Sequence, residues 1–195
     1  MKLFLIRHGE TDWSRQKRYC GATDISLNKT GKEQAIKLGQ RLQQEQIQQI
    51  YASNSQRTIQ FANLAFPKKT ILERAQLQEL DFGPWEGLKH HEVESTYPDI
   101  YSRWLADPFK VTIGESLNMF IKRIRKVLAN IISSQEKTIA LVTHGGPLKI
   151  ILLDLLNRDL KKEFWSIQQD IACLNIFELL PKKIVPVMIN DTSYL

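Results

Sequence analysis

Apolar runs of strand length alternate with segments of helical period along most of this 195-residue chain. That alternation predicts an α/β domain layered around one main sheet. Two of the apolar runs, LFLIRHGE and ALVTHGGP, end alike, with histidine at the exit and glycine directly after it. No repeat, low-complexity stretch or linker interrupts the pattern, so a single domain over 1–195 is expected.

The elements follow in order. Residues 2–6 (KLFLI) read as a buried strand. A helix is expected over 31–45, opened by a capping box of Thr30 and Glu33, with Ala35, Leu38 and Leu42 at helical spacing. QIYA at 49–52 reads as a short strand, and Ser53 offers an N-cap for a helix over 54–65 with Ile59, Ala62 and Ala65 inward. Ile71 and Leu72 suggest another short strand. Residues 78–97, dense in acids, aromatics and glycine, have no sustained period and read as turns and short helices, the usual form of a functional loop. Residues 98–107 suit a helix.

Thr112 and Glu115 have capping-box spacing before a helix to about 132, whose inward stripe is Leu117, Phe120, Ile121, Ile124, Leu128 and Ile131. KTIALVTHGG is a strand ending on His144, followed by a helix from Pro147 to about 156. CLNIFEL and KIVPVMIN are late strands, and Pro186 marks the last as irregular or an edge.

Composition narrows the function classes. With 43% hydrophobic and 25% charged residues the chain is expected to be globular and cytoplasmic, with no membrane partner, since no apolar stretch approaches a membrane span. Cys20 and Cys173 make neither a disulfide framework nor a metal knuckle. The net charge of +6 comes from scattered cations without basic–aromatic alternation, so no nucleic-acid partner is expected.

The paired strand endings carry the chemistry. Ligands of α/β sheets bind beyond the carboxyl ends of strands, so adjacent strands would bring His8 and His144 into one crevice. Gly9, Gly145 and Gly146 allow tight turns and leave backbone N–H groups open to an anion. Arg7 beside His8 supplies a permanently cationic donor fork. Arg57, near a helix start where a cation gains nothing from the dipole, supplies a second. Two arginines and two histidines at strand ends specify a multiply charged oxygen anion, and phosphate is the simplest. His90 and His91 lack the spacing of a metal site and are expected at a loop surface.

LIRHGET, GATDISLNKTGKEQA, YASNSQRTIQ, LQELDFGPWEG, IGES and VTHGGP, in this order over about residues 2–149, resemble the histidine phosphatase superfamily, the phosphoglycerate-mutase-like fold. The resemblance implies a three-layer α/β/α sandwich with a mostly parallel mixed sheet, and phosphoryl transfer through a phosphohistidine. His8 would be the nucleophile, Arg7, Arg57 and His144 would hold the phosphoryl group, and Glu79 would protonate the leaving oxygen. Ser14, Thr23 and Gly145 would lie near the substrate, and a segment at about 82–113 would cover it. No metal or organic cofactor is implied. Ser14 stands where the superfamily often has asparagine, and Lys149 where arginine is common, so a cation is kept without the bidentate fork.

The superfamily's cofactor-dependent mutases have longer chains with extra sequence covering the site. By that resemblance, the mere 65 positions (144 minus 79) between Glu79 and His144 imply an open site with water as acceptor, a phosphatase. The compact length, DFGPWEG, the Trp104–Pro108 piece and GES are most similar to the alpha-ribazole phosphatases. That implies a small phosphorylated metabolite, alpha-ribazole 5′-phosphate, as partner, and a monomer or homodimer. A broad-specificity phosphatase, a phosphoglycerate mutase and a silent phosphate-binding module remain as alternatives. Phe82 and Trp85 could wall a flat base or belong to the core.

Overall fold

The computed structural model describes residues 1–195. In chain order the elements are β1 (Lys2–Arg7), α1 (Asp12–Arg15), α2 (Lys29–Arg41), β2 (Gln49–Ala52), α3 (Gln56–Ala65) and β3 (Ile71–Glu73). Then come α4 (His90–Thr96), α5 (Pro98–Ala106), α6 (Leu117–Ile132), β4 (Thr138–Thr143), α7 (Gly145–Leu155), α8 (Leu160–Glu163), β5 (Leu174–Leu180) and β6 (Lys183–Asp191). Short 3₁₀ turns at Ala75–Leu77, Gly83–Trp85 and Pro108–Lys110 fill the irregular middle of the chain.

One six-stranded sheet runs β3-β2-β4-β1-β5-β6. The first four strands are mutually parallel, and β5 and β6 add an antiparallel end. Alternate strand residues serve opposite faces, as the two-residue period requires. Leu3, Leu5, Ile139 and Leu141 join the larger core under α6 and α7, whereas Phe4, Ile6, Ala140 and Val142 join the smaller one under α2 and α3. The result is three layers, α/β/α. The edge strand β6 carries Pro186, and its pairing with β5 shifts register around Ile176 and Phe177, so it is both edge and irregular. No helix is long and apolar enough to cross a membrane.

Helix stripes follow the sequence closely. All six residues of the expected α6 stripe are buried, together with Val127. The caps differ. Asn28, not Thr30, opens α2 by accepting the Gly31 N–H at 2.9 Å, and the helix stops at Arg41. Ser55, not Ser53, precedes α3, and Ser116, not Thr112, caps α6. Each true cap lies two to four residues from the expected one in a stretch holding several capping-type residues, and tertiary contacts choose among them. Glu115, for instance, is drawn out of a capping box by a bidentate pair with Arg123. Helix α7 begins at Gly145, two residues before Pro147. The four-residue helices α1 and α8 are too short to show a period.

Candidate active site

Strands β1 and β4 pair in parallel with Arg7 opposite Thr143, so His8 and His144 leave the sheet side by side. The His8 N–H donates to the Thr143 carbonyl at 3.0 Å, and the two imidazoles meet edge to face with centroids 5.1 Å apart. Beyond this edge lies a cavity of about 590 Å³ lined by Arg7, His8, Ser14, Glu79 and Gly145 among others. Sequence reasoning placed all five there.

The hydrogen bonds of the two histidines set their tautomers. His8 Nδ1–H donates to the carbonyl of Gly9 at 2.8 Å, which leaves the Nε2 lone pair without a protein partner. Arg57 Nε donates to His144 Nδ1 at 3.2 Å, so His144 carries its proton on Nε2 and donates it to Ser53 Oγ at 3.0 Å. Burial, then the Arg57 and Arg7 charges, holds His8 well below the usual histidine range. Burial, then Arg57 and His8, does the same to His144. Both imidazoles are neutral at neutral pH.

Arg7 is half-buried, and Glu79 is its chief counter-charge. Its Nη1 donates to the carbonyl of Gln169, while its Nε is buried with no partner beside Gly145. An orphaned guanidinium donor at the wall of a cavity is what an oxyanion would satisfy. Arg57 is placed differently. It stands behind this wall, 1% exposed, donating to Gly21 O at 2.8 Å and Thr23 O at 2.9 Å as well as to His144. His144 also lies behind the wall.

Glu79 is fixed from two sides. Its carboxylate accepts the N–H groups of Leu80 and Gly146, each at 2.9 Å. Arg123 gathers the carbonyls of Gln76, Gln78 and Glu79 at 2.7–2.8 Å, which locks the backbone that carries it. Gly146 permits the contact, since a Cβ there would stand 2.1 Å from Glu79 Oε1.

Two expected substrate contacts are occupied by the protein. Ser14 lines the cavity, but its hydroxyl bonds the Thr11 N–H and carbonyl in a reciprocal cap of α1. Thr23 is off the cavity, with its N–H on Glu86 and its carbonyl on Arg57. Trp85 is core at 1% exposure, whereas Phe82 lines the cavity.

The expected covering segment, 82–113, contributes Phe82, His90, Trp104 and Leu105 to the wall. His90, expected at a loop surface, faces the cavity from the first turn of α4, where its Nδ1 meets the Tyr19 hydroxyl at 3.1 Å. The segment after α8 supplies Phe164, Trp165 and Gln169, which no motif announced. Their exclusion from the periodic part of the sequence was the one available signal.

The model of the histidine phosphatase superfamily (branch 1) matches residues 3–192. Phosphoserine phosphatase 1 of Hydrogenobacter thermophilus is 33% identical over 200 residues, spanning 100% of this chain and 94% of that protein. The alpha-ribazole phosphatase from Shigella flexneri has a similar structure, with TM-score 0.90 at 26% identity over 98% of this chain and 96% of that one. Phosphoserine phosphatase from Entamoeba histolytica, in complex with 3-phosphoglyceric acid, gives TM-score 0.86 at 27% identity over 99% and 98%.

Proposed function

The chain belongs to the histidine phosphatase superfamily and is a phosphatase, and from that premise we propose that it hydrolyses a small phosphate monoester through a phosphohistidine on His8. The observation that carries this reading is the His8 tautomer: the Gly9 carbonyl holds the Nδ1 proton and leaves Nε2 as a neutral nucleophile at the cavity.

In the first step the Nε2 lone pair attacks phosphorus and the ester P–O bond breaks. Glu79, in its protonated form, gives its proton to the departing oxygen. Arg7 Nε–H meets the charge that spreads over the equatorial oxygens. Arg57 adds its charge from behind through His144. In the second step a water attacks the phosphohistidine, Glu79 takes a proton from it, and the P–N bond breaks to release inorganic phosphate. No step needs a metal or an organic cofactor.

Two substrates have support. Likeness to the Shigella alpha-ribazole phosphatase favours alpha-ribazole 5′-phosphate, and the 33% identity with phosphoserine phosphatase 1 favours phosphoserine. The test of the reaction is para-nitrophenyl phosphate turnover with trapping of a labelled phosphohistidine. Wild type should give both and His8→Ala neither. Absence of turnover and of label across pH 5–8 in wild type would remove the proposal.

A further inference from the structure

Arg7 meets the reacting phosphate in the reading above, which leaves the other cations of the cavity to account for. Arg18 is committed to the Gly87 carbonyl, Gln16 and Glu92, and Lys17 is exposed at the rim. Lys149 is half-buried in the wall and has neither a carboxylate nor a carbonyl acceptor. Its ammonium lies 5.5 Å from the ring centroid of Phe164 and 5.4 Å from that of Trp165. Ring faces attract a cation but leave its three N–H donors unmet.

The position of Lys149 is informative. It follows Gly146, whose N–H holds Glu79, by three residues on α7, which is about 4.5 Å along the axis at roughly 1.5 Å per residue. A substrate whose ester oxygen faces Glu79 therefore presents its next few atoms to this ammonium. The same ammonium covers faces of Phe164 and Trp165, and Trp104 packs edge-on to Trp165 at 6.2 Å. A flat base stacked on those same faces would have to displace the ammonium. Burial pulls the lysine below its ordinary pKa, and Glu79 pushes it back up.

We propose that Lys149 is a specificity-determining residue that takes a carboxylate a few atoms from the ester oxygen, so that the preferred substrates are phosphorylated small acids. The proposal rests on the phosphatase reading and deepens it. Lys149 supplies a single charge-assisted hydrogen bond to the part of the substrate that does not react.

Two matched pairs test this: phosphoserine against phosphoethanolamine, and 3-phosphoglycerate against glycerol 3-phosphate. Each pair differs at the carboxylate. Wild type should favour the acid by tenfold or more in kcat/KM in at least one pair. A charged hydrogen bond of ordinary strength predicts that Lys149→Met and Lys149→Gln each shrink that preference by about ten- to a hundredfold. Lys149→Arg should restore most of it. Two substitutions are used so that misfolding of one, read by near-ultraviolet circular dichroism, does not decide the matter.

Absence of any acid preference in wild type overturns the proposal. So does an equal fall for both members of each pair, which would place Lys149 on the transferred phosphoryl group instead. Wild type that forms labelled phosphohistidine from para-nitrophenyl phosphate but shows no acid preference refutes Lys149 alone. Wild type that forms none refutes the phosphatase mechanism beneath it.

Discussion

Arg57 Nε donates to His144 Nδ1 across 3.2 Å, and this bond decides which nitrogen of His144 carries the proton. An arginine cannot accept, so Nδ1 must be the bare nitrogen and the proton must sit on Nε2, toward Ser53. The arrangement makes Arg57 an organiser of the second histidine and of the turn carrying Gly21 and Thr23 at once.

Arg57→Ala should therefore lower both stability and rate. Three acceptors, two of them buried, lose their donor, at a cost of about 1–3 kcal/mol for each buried one left unsatisfied. Loss of its positive charge should reduce kcat/KM by about a hundredfold or more. Urea midpoints and para-nitrophenyl phosphate kinetics check the two effects. Arg57→Lys keeps the charge but not the planar fork, so its rate should recover more than its stability does.

Both buried histidines sit below the ordinary value of 6.5, so the unfolded chain binds their protons first as pH falls. Stability is full above about pH 6.5 and declines below it, with a slope of up to about 2.7 kcal/mol per pH unit for two groups. Denaturation at pH 7, 6 and 5 should show this decline, and His144→Gln should roughly halve it. The neutral nucleophile persists over the same range, so phosphohistidine formation should not fall with a midpoint at 6.5.

Gly146→Ala separates rate from folding. Alanine favours a helix by about 1 kcal/mol over glycine, yet here its Cβ would fall on Glu79 Oε1 and press on Phe120 at 3.0 Å. The expected result is a kcat reduced about a hundredfold, the upper part of the general acid–base range, with little loss in thermal midpoint. A variant of unchanged kcat would show that the Gly146–Glu79 contact is dispensable.

Arg123 touches no cavity atom but ties the backbone of Glu79 to Glu115. Arg123→Met should slow turnover about tenfold through kcat, leaving KM within about twofold, because misplacement of an acid affects the transition state alone. Steady-state kinetics on para-nitrophenyl phosphate measure the fall. An unchanged thermal midpoint distinguishes it from a general loss of folded protein, which would lower kcat by active fraction and lower the midpoint too.

How much of this was legible in the sequence depends on the distance over which each residue acts. The strand–His–Gly endings announced β1 and β4, because a short apolar run and its exit residue are local signals, whereas the adjacency that brings His8 to His144 comes from the sheet register. The α6 stripe was legible for the same reason. The caps at Asn28, Ser55 and Ser116 were displaced, because neighbouring serines, threonines and asparagines compete locally and the fold chooses. His90 was legible only as part of the covering segment, and Phe164 and Trp165 were not announced individually as cavity residues. They come from separate, irregular segments, and only tertiary packing brings them to Lys149 and Tyr19.

The Arg7–Thr143 register has a consequence for how such a molecule could change. His8 and His144 are indexed to each other by a ladder of backbone hydrogen bonds that no side-chain replacement removes. The walls that meet the rest of the substrate hang from α4, α5 and the stretch after α8, outside that ladder. Those walls are exchangeable parts, open to insertion or grafting, while the spacing of the two imidazoles is inherited intact. A new diet can thus be fitted to an unaltered engine.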